Sequence, residues 1–177
     1  MQFWGVRSGY GIRLARSLDL AALGPIELAA ARLFEPYGLA ELFADTTPVA
    51  TLAAAVRDGR LWVAVDAQGT VVGFALAAVL DGSGHLEELD VHPDHGRRGI
   101  GRALVDAVTA WARLRRFPAL TLNTMRDVPW NAPFYERLGF VALHDDELWE
   151  ALQTLRRVEV ERGLPGEHRV SMRLALA

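Results

Sequence analysis

The chain has 177 residues, of which 51% are hydrophobic and 23% charged, and a formal net charge of −3. That balance describes an ordinary globular chain long enough for a sizeable core; the acidic excess argues against a nucleic-acid partner, and no apolar run approaches the roughly 20 residues of a membrane span. The absence of cysteine excludes disulfides, thiolate metal sites and a cysteine nucleophile.

Met1–Tyr10 lacks the apolar core and small-residue cleavage site of a signal peptide, so a cytoplasmic location is the default expectation. Tyr10–Ala15 alternates enough to be a first strand. Ala21–Phe34 is rich in alanine and leucine and reads as a helix, with Pro25 near its start. Leu39–Phe43 suggests a second, short helical piece. Pro48–Arg57 reads as another helix, opened by Thr46 or Thr47 and followed by Gly59. The pattern changes at Leu61. Leu61–Val65, Val71–Leu80 and His85–Val91 read as strands separated by the turn signals Gln68-Gly69 and Asp81-Gly82, an antiparallel meander. Ile100–Arg116 sets Leu104, Val108, Trp111 and Leu114 on one helical face. Ala119–Thr124 is a strand arriving after that helix, so it is expected to lie parallel to the strand before it, with a right-handed crossover. Asn131–Leu138 reads as a short helix ended by Gly139, Phe140–Leu143 as a strand, Glu147–Arg162 as a charged amphipathic helix and Val170–Leu176 as a closing strand. The whole reads as one mixed α/β domain over residues 1–177, with an antiparallel first half and a parallel pair in the middle.

Residues 86–104, Leu-Glu-Glu-Leu-Asp-Val-His-Pro-Asp-His-Gly-Arg-Arg-Gly-Ile-Gly-Arg-Ala-Leu, carry the most chemistry. A strand feeding a glycine-rich loop that opens a helix is a phosphate cradle, because the helix start leaves backbone N–H groups without partners and its dipole favours an anion. That dipole is worth roughly 0.3–1 kcal/mol at an exposed site, so loop amides and arginines must supply most of the binding. Gly99 and Gly101 allow close backbone approach, and Arg97, Arg98 and Arg102 offer charge-assisted donors. The strand before the loop bears acids. Glu87 shares a face with His85, Leu89 and Val91, while Glu88 and Asp90 take the other. His92-Pro-Asp-His95 has no metal-ligand pattern and reads as the turn out of the strand, so no metal is expected.

About thirty residues on stands Asn131-Ala-Pro-Phe-Tyr-Glu-Arg-Leu-Gly-Phe140. Together with Gly96-Arg-Arg-Gly-Ile-Gly-Arg-Ala-Leu104 it resembles the GCN5-related N-acetyltransferase (GNAT) superfamily over at least Leu61–Leu143. Asp127-Val-Pro-Trp-Asn-Ala-Pro-Phe-Tyr135 further resembles a bacterial subgroup of that family. The resemblance implies the GNAT fold, a mostly antiparallel sheet with a central splayed parallel strand pair and flanking helices. It implies acetyl-CoA as donor, lying where the strands at 85–91 and 119–124 part. The backbone of Leu89 and Val91 would then bond the pantetheine arm, and Arg97, Arg98, Gly99, Ile100, Gly101 and Arg102 would cradle the pyrophosphate. Asn131 would bind the pantetheine side and Tyr135 would face the thioester sulfur. The family's Gln/Arg-x-x-Gly-x-Gly/Ala begins here with Gly96, with Arg97 one place late.

The reaction explains why such groups are needed. An alkyl amine with a lysine-like pKa of about 10.4 is protonated at neutral pH, and freeing it costs roughly 4.6 kcal/mol. A carboxylate base assists, with Glu87 the first candidate and Glu88 the second, since burial and mutual repulsion raise such a group toward neutrality. Tyr135, with a phenol pKa near about 10, can protonate the departing CoA thiolate. The expected function is transfer of an acetyl group to an amine of a small molecule or peptide by direct attack in a ternary complex. The other reading is a non-catalytic acyl-CoA-binding module of the same fold. A third reading, a dinucleotide-binding oxidoreductase, is disfavoured: Gly96-x-x-Gly99-x-Gly101 has the wrong spacing for Gly-x-Gly-x-x-Gly, and the strand before it follows a meander rather than opening a βαβ unit. Trp130 and Asp127 are candidates for the acceptor pocket, and the 147–177 tail for a homodimer contact. All 19 basic residues are arginine, so an amine-modifying enzyme would have no lysine of its own to modify.

Overall fold

A computed structural model describes residues 4–6, 9–43 and 45–176. The strands are β1 (Trp4–Val6), β2 (Tyr10–Leu14), β3 (Leu61–Val65), β4 (Val71–Leu80), β5 (Ser83–Val91), β6 (Ala119–Met125), β7 (Val141–Ala142) and β8 (Arg169–Ala175). The helices are α1 (Leu20–Ala31), α2 (Val49–Arg57), α3 (Ile100–Leu114), α4 (Ala132–Glu136) and α5 (Glu150–Glu161). Hydrogen bonding orders the strands β1-β2-β3-β4-β5-β6-β8-β7. β5 and β6 are parallel; β1–β2, β2–β3, β3–β4, β6–β8 and β7–β8 are antiparallel. The expected mixed, mostly antiparallel sheet with one parallel pair is therefore present. β1 was not expected from the sequence, and the leader reading at Met1–Tyr10 falls partly outside the described residues. Among the described residues no helix is long and apolar enough to cross a membrane.

The chain forms two compact units. In the first, Met1–Ala77 with Glu88–Ala110, Leu23 and Ile26 of α1 and Leu52 of α2 pack with Leu61, Val63, Phe74 and Leu76 of β3 and β4. Each such side chain contributes roughly 1.5–3 kcal/mol on burial. Trp62 and Ala64, on the opposite face of β3, are buried as well, which marks β3 as a strand covered on both sides.

The helix starts differ from the sequence reading. α1 begins at Leu20, so Pro25 lies inside it rather than at its start. The start is set by Asp19, which accepts two bonds from Arg13 at 2.7 and 2.8 Å and a third from the Arg16 N–H at 2.7 Å. Burial pushes the Asp19 carboxyl up, but these donors outweigh it and hold it below its usual value. α2 begins at Val49 with Pro48 at its cap and no side-chain cap bond. Thr47 does not cap it because its hydroxyl and N–H are spent on Glu27. Gly59 follows α2 at φ 65°, as its position suggested.

The second unit comprises Ala78–Glu87 and Trp111–Ala177. β6 pairs with β5 at Gly84–Leu86 and with β8 along its whole length. Gly84 permits the close approach, since a Cβ there would lie 3.2 to 3.3 Å from Leu120, Ala112 and Trp111. β8 is an inner strand, bonded to β6 on one side and β7 on the other. α5 is tied to it by a bidentate Arg169–Glu159 pair at 2.9 and 3.1 Å, extended through Asn123 to Ser171. Along α3, Leu104, Val108 and Trp111 are buried, but Leu114 is 79% exposed. The helix ends there, and the chain turns away through Arg116 at φ 57°, so the apolar face stops one residue short of that reading.

Candidate active site

The loop between β5 and α3 lies in the first unit. His92–His95 forms the expected turn, a single 3-10 turn over Pro93–His95. Arg97 at φ 59° and Gly99 at φ 82° both take the left-handed conformation. For Gly99 this is free; for Arg97 it is strained, because a Cβ crowds the following carbonyl. Gly96 has an ordinary φ of −62° and needs no glycine for its conformation. A Cβ there would stand 3.1 Å from the Pro93 oxygen, so proximity is what favours glycine. The first helical bond runs from the Ala103 N–H to the Gly99 oxygen at 3.0 Å. The N–H groups of Ile100, Gly101 and Arg102 therefore open the helix, where no intrahelical acceptor exists. Ile100 is buried and anchors this first turn, while Arg97, Arg98 and Arg102 are exposed. Arg102 pairs loosely with Asp106 at 3.8 Å.

The acids before the loop separate by face, as alternation requires. Glu87 is exposed, whereas Glu88 and Asp90 are half-buried. Within the first unit they meet Glu27 of α1, and one carboxylate oxygen from each of the three lies within 4.8 Å of the others. Glu27 is 6% exposed. It is clamped by the Thr47 N–H at 3.0 Å and the Thr47 hydroxyl at 2.5 Å. Asp90 is pushed well above its ordinary value by burial first, then by the charges of Glu88 and Glu27 and a hydrogen bond with Glu88. Three carboxyl oxygens this close are also a spacing that a hard cation can use. Beside them, Gly73 of β4 has no room for a side chain, since a Cβ would lie 2.7 Å from the Asp90 carbonyl oxygen.

In the second unit, Asn131 stands at the N-cap of α4 without making a side-chain cap bond, and its carbonyl accepts from the Phe134 and Tyr135 N–H groups. The ring of Tyr135 is buried edge-on between Phe134 and Phe140, at centroid distances of 5.0 and 5.7 Å. Asp127 is paired with His168 at 3.2 Å and is exposed, as is Trp130. His85 is buried at 3% exposure, 2.9 Å from the Thr121 hydroxyl. That hydroxyl donates to the Gly84 oxygen at 3.2 Å, so it accepts from His85 Nδ1–H. Burial, and then the charge of Arg169, lower the His85 pKa to about 4.

The structure thus gathers Leu89, Val91 and residues 97–102 in one unit and Asn131 and Tyr135 in the other, and sets Glu87 apart from Glu88. Glu27, Asp90 and Thr47 were not among the expected site residues. Glu27 had a signal: it is a lone acid in the apolar run Leu20–Ala31, where an ionisable side chain on a buried face needs a partner.

Comparison with known proteins agrees with this frame. A profile of the acetyltransferase (GNAT) family matches residues 26–140. Over 88 residues the chain is 36% identical to streptothricin acetyltransferase of Streptomyces lavendulae, covering 47% of this chain and 45% of that protein. The chain thus spans about half the length of that curated relative. Among solved structures, N-acetylglutamate synthase from Neisseria gonorrhoeae, complexed with coenzyme A and N-acetyl-glutamate, is similar with a TM-score of 0.71 and 19% identity. That likeness covers 97% of this chain and 36% of the other. The PaiA N-acetyltransferase of Thermoplasma acidophilum, in complex with coenzyme A, has a TM-score of 0.68 and 14% identity, over 94% of this chain and 99% of its own. At these identities both likenesses speak for the fold.

Proposed function

Because the chain belongs to the acetyltransferase (GNAT) family, we propose that it transfers an acetyl group from acetyl-CoA to an amine of a small molecule or peptide, by direct attack in a ternary complex. The observation that carries this reading is local to the first unit: the carboxyl-bearing end of β5 leads straight into a Gly/Arg loop whose N–H groups open α3. In this reading the amides of 97–102 take the diphosphate, and the backbone of Leu89 and Val91 takes the pantetheine arm in the manner of an added strand. Support for the latter is that β5 pairs with β6 at Gly84–Leu86 and runs on to Val91. Asn131 is assigned to the pantetheine side and Tyr135 to protonation of the CoA thiolate. We assign removal of the amine proton to Glu88 ahead of Glu87. Glu88 is half-buried, shares a hydrogen bond with Asp90 and stands within reach of Glu27; Glu87 is exposed.

That acidic group favours a cationic acceptor such as a polyamine, an aminoglycoside or a peptide N-terminus. Streptothricin joins them because of the relative named above. The Asp127–Tyr135 motif is the basis for placing the chain in a bacterial subgroup, and we place its action in the cytoplasm, without a metal. The test has two stages. Calorimetry measures acetyl-CoA binding, and absence of binding overturns the proposal. A panel of those amines, followed by CoA thiol release, then finds the acceptor. Glu88→Gln is expected to lower turnover at least about a hundredfold with acetyl-CoA binding retained. Binding without turnover on any amine would instead indicate an acyl-CoA-binding module.

A further inference from the structure

Arg98 turns back onto the protein instead of reaching out from the loop. One guanidinium nitrogen donates to Tyr10 Oη at 2.8 Å and another to the Asp94 carbonyl at 3.2 Å, and the guanidinium carbon lies 5.9 Å from the centre of the Tyr10 ring. Tyr10 Oη is 2.9 Å from His95 Nδ1, with the two rings edge to face at 5.8 Å. A guanidinium only donates, so the Tyr10 oxygen accepts from Arg98, and its own hydroxyl hydrogen is left to bond His95 Nδ1 in the tautomer that carries the ring hydrogen on Nε2. His92 packs edge-on against His95 at 6.1 Å and accepts the Asp94 N–H at 3.3 Å. Tyr10 comes from β2, far away in sequence, and its hydroxyl closes a chain of bonds over both ends of the turn that leads into α3. Between those ends sits Arg97, in the left-handed conformation at φ 59°. A non-glycine residue keeps such a conformation only where its surroundings over-determine it.

We propose that Tyr10 and His95 are positioning residues for donor binding: through Arg98 they hold the loop 97–102 in the shape that receives the diphosphate of acetyl-CoA. The inference rests on the reading of that loop as the diphosphate cradle. A loop already held in its bound shape loses less freedom on binding, so the brace acts on donor affinity. Arg98 is then a strut of the cradle, and the charge left for the anion belongs to Arg97 and to Arg102, which is held only loosely by Asp106 at 3.8 Å.

Two ligands separate this role from general stability: acetyl-CoA, and S-acetylpantetheine, which lacks the diphosphate. Dissociation constants come from calorimetry for the first and from competition for the second. Tyr10→Phe removes one oxygen and keeps the ring. It is expected to weaken acetyl-CoA about three- to tenfold, the range of one hydrogen bond, and to leave S-acetylpantetheine unchanged. His95→Leu should do the same, and His95→Gln, whose amide oxygen accepts the same proton, should restore most of the loss. Equal weakening of both ligands, or none in Tyr10→Phe, overturns the inference. The double variant Arg97→Ala/Arg102→Ala tests the cradle itself. If it loses acetyl-CoA selectively while Tyr10→Phe does not, the brace alone is wrong. If neither shows a selective loss, the cradle reading falls and the brace with it.

Discussion

At Asp90 the fold holds a carboxyl where ionisation is unfavourable. Burial disfavours its charge, and Glu88 and Glu27 add repulsion. The sign of the stability effect follows from linkage. The folded-state value lies above the unfolded one, so the native chain holds a proton that the unfolded chain has already released. Stability therefore declines as pH rises from the ordinary carboxylate range through the raised value of Asp90, and returns as pH falls. Asp90→Asn removes that cost and keeps a group able to hydrogen-bond Glu88. It is expected to stabilise the protein by about 0.5–2 kcal/mol near neutral pH while lowering acetyl transfer, the exchange of activity for stability common at functional sites. Urea midpoints near neutral pH and in the ordinary carboxylate range decide it; the gain must shrink at the lower pH. Alternation along β5 put Glu88 and Asp90 together in advance. Glu27, their third member, was marked only as a lone acid in an apolar helix; its meeting with them was hidden, because the approach of α1 to β5 is a tertiary contact that no local pattern encodes.

Among the elements, the joint between β4 and β5 carries the acids and leaves no slack. Gly73 and the Asp90 carbonyl are so close that a Cβ at 73 would sit 2.7 Å from that oxygen, and the His92 N–H bonds the Val72 carbonyl at 2.8 Å on the same stretch. Backbone faces backbone here, so no flexible side chain can yield. Gly73→Ala is expected to cost about 1–3 kcal/mol, as overpacking does, and to reduce activity further than that loss of folded protein explains. Thermal unfolding paired with specific activity per folded molecule checks this, and full specific activity in the folded fraction would sink it. The same joint shows why the middle of the fold was legible. Gly69 at φ 84° and Asp81-Gly82 at φ 48° and 76° are turns that announce themselves by residue type, and β3 and β4 were bounded by them residue for residue. Helix starts were less legible. At α2 the side chain able to cap locally, Thr47, was drawn into a distant bond with Glu27; at α1 the start follows from the bonds of Asp19 to Arg13 and to the Arg16 N–H, a pairing that residue type alone does not mark.

For the whole molecule, the Gly/Arg loop and the strands were readable because glycine loops and strand alternation are local, whereas the Tyr10–His95 bond joins residues separated by 85 positions and has no local signature. Acid stability is a property of this larger scale, and His85 gives it a defined component. Its folded pKa is about 4, below the roughly 6.5 of an unfolded histidine. The unfolded chain therefore takes up a proton at a higher pH than the native chain does. Stability from this group is complete above about pH 6.5, declines below it, and is exhausted near the folded value of about 4. Over that span the loss reaches about 3 kcal/mol, because charging the ring would strand a cation in the sheet beside Arg169. His85→Asn retains an N–H donor for Thr121 near the position of Nδ1 and carries no titrating group. Denaturation series for the wild type and this variant between about pH 7 and 5 should show the wild type losing stability more steeply. Asp90 works in the opposite direction over part of the range but is common to both proteins, so it cancels in the difference. Parallel pH profiles would mean that His85 already accepts its proton in the native sheet.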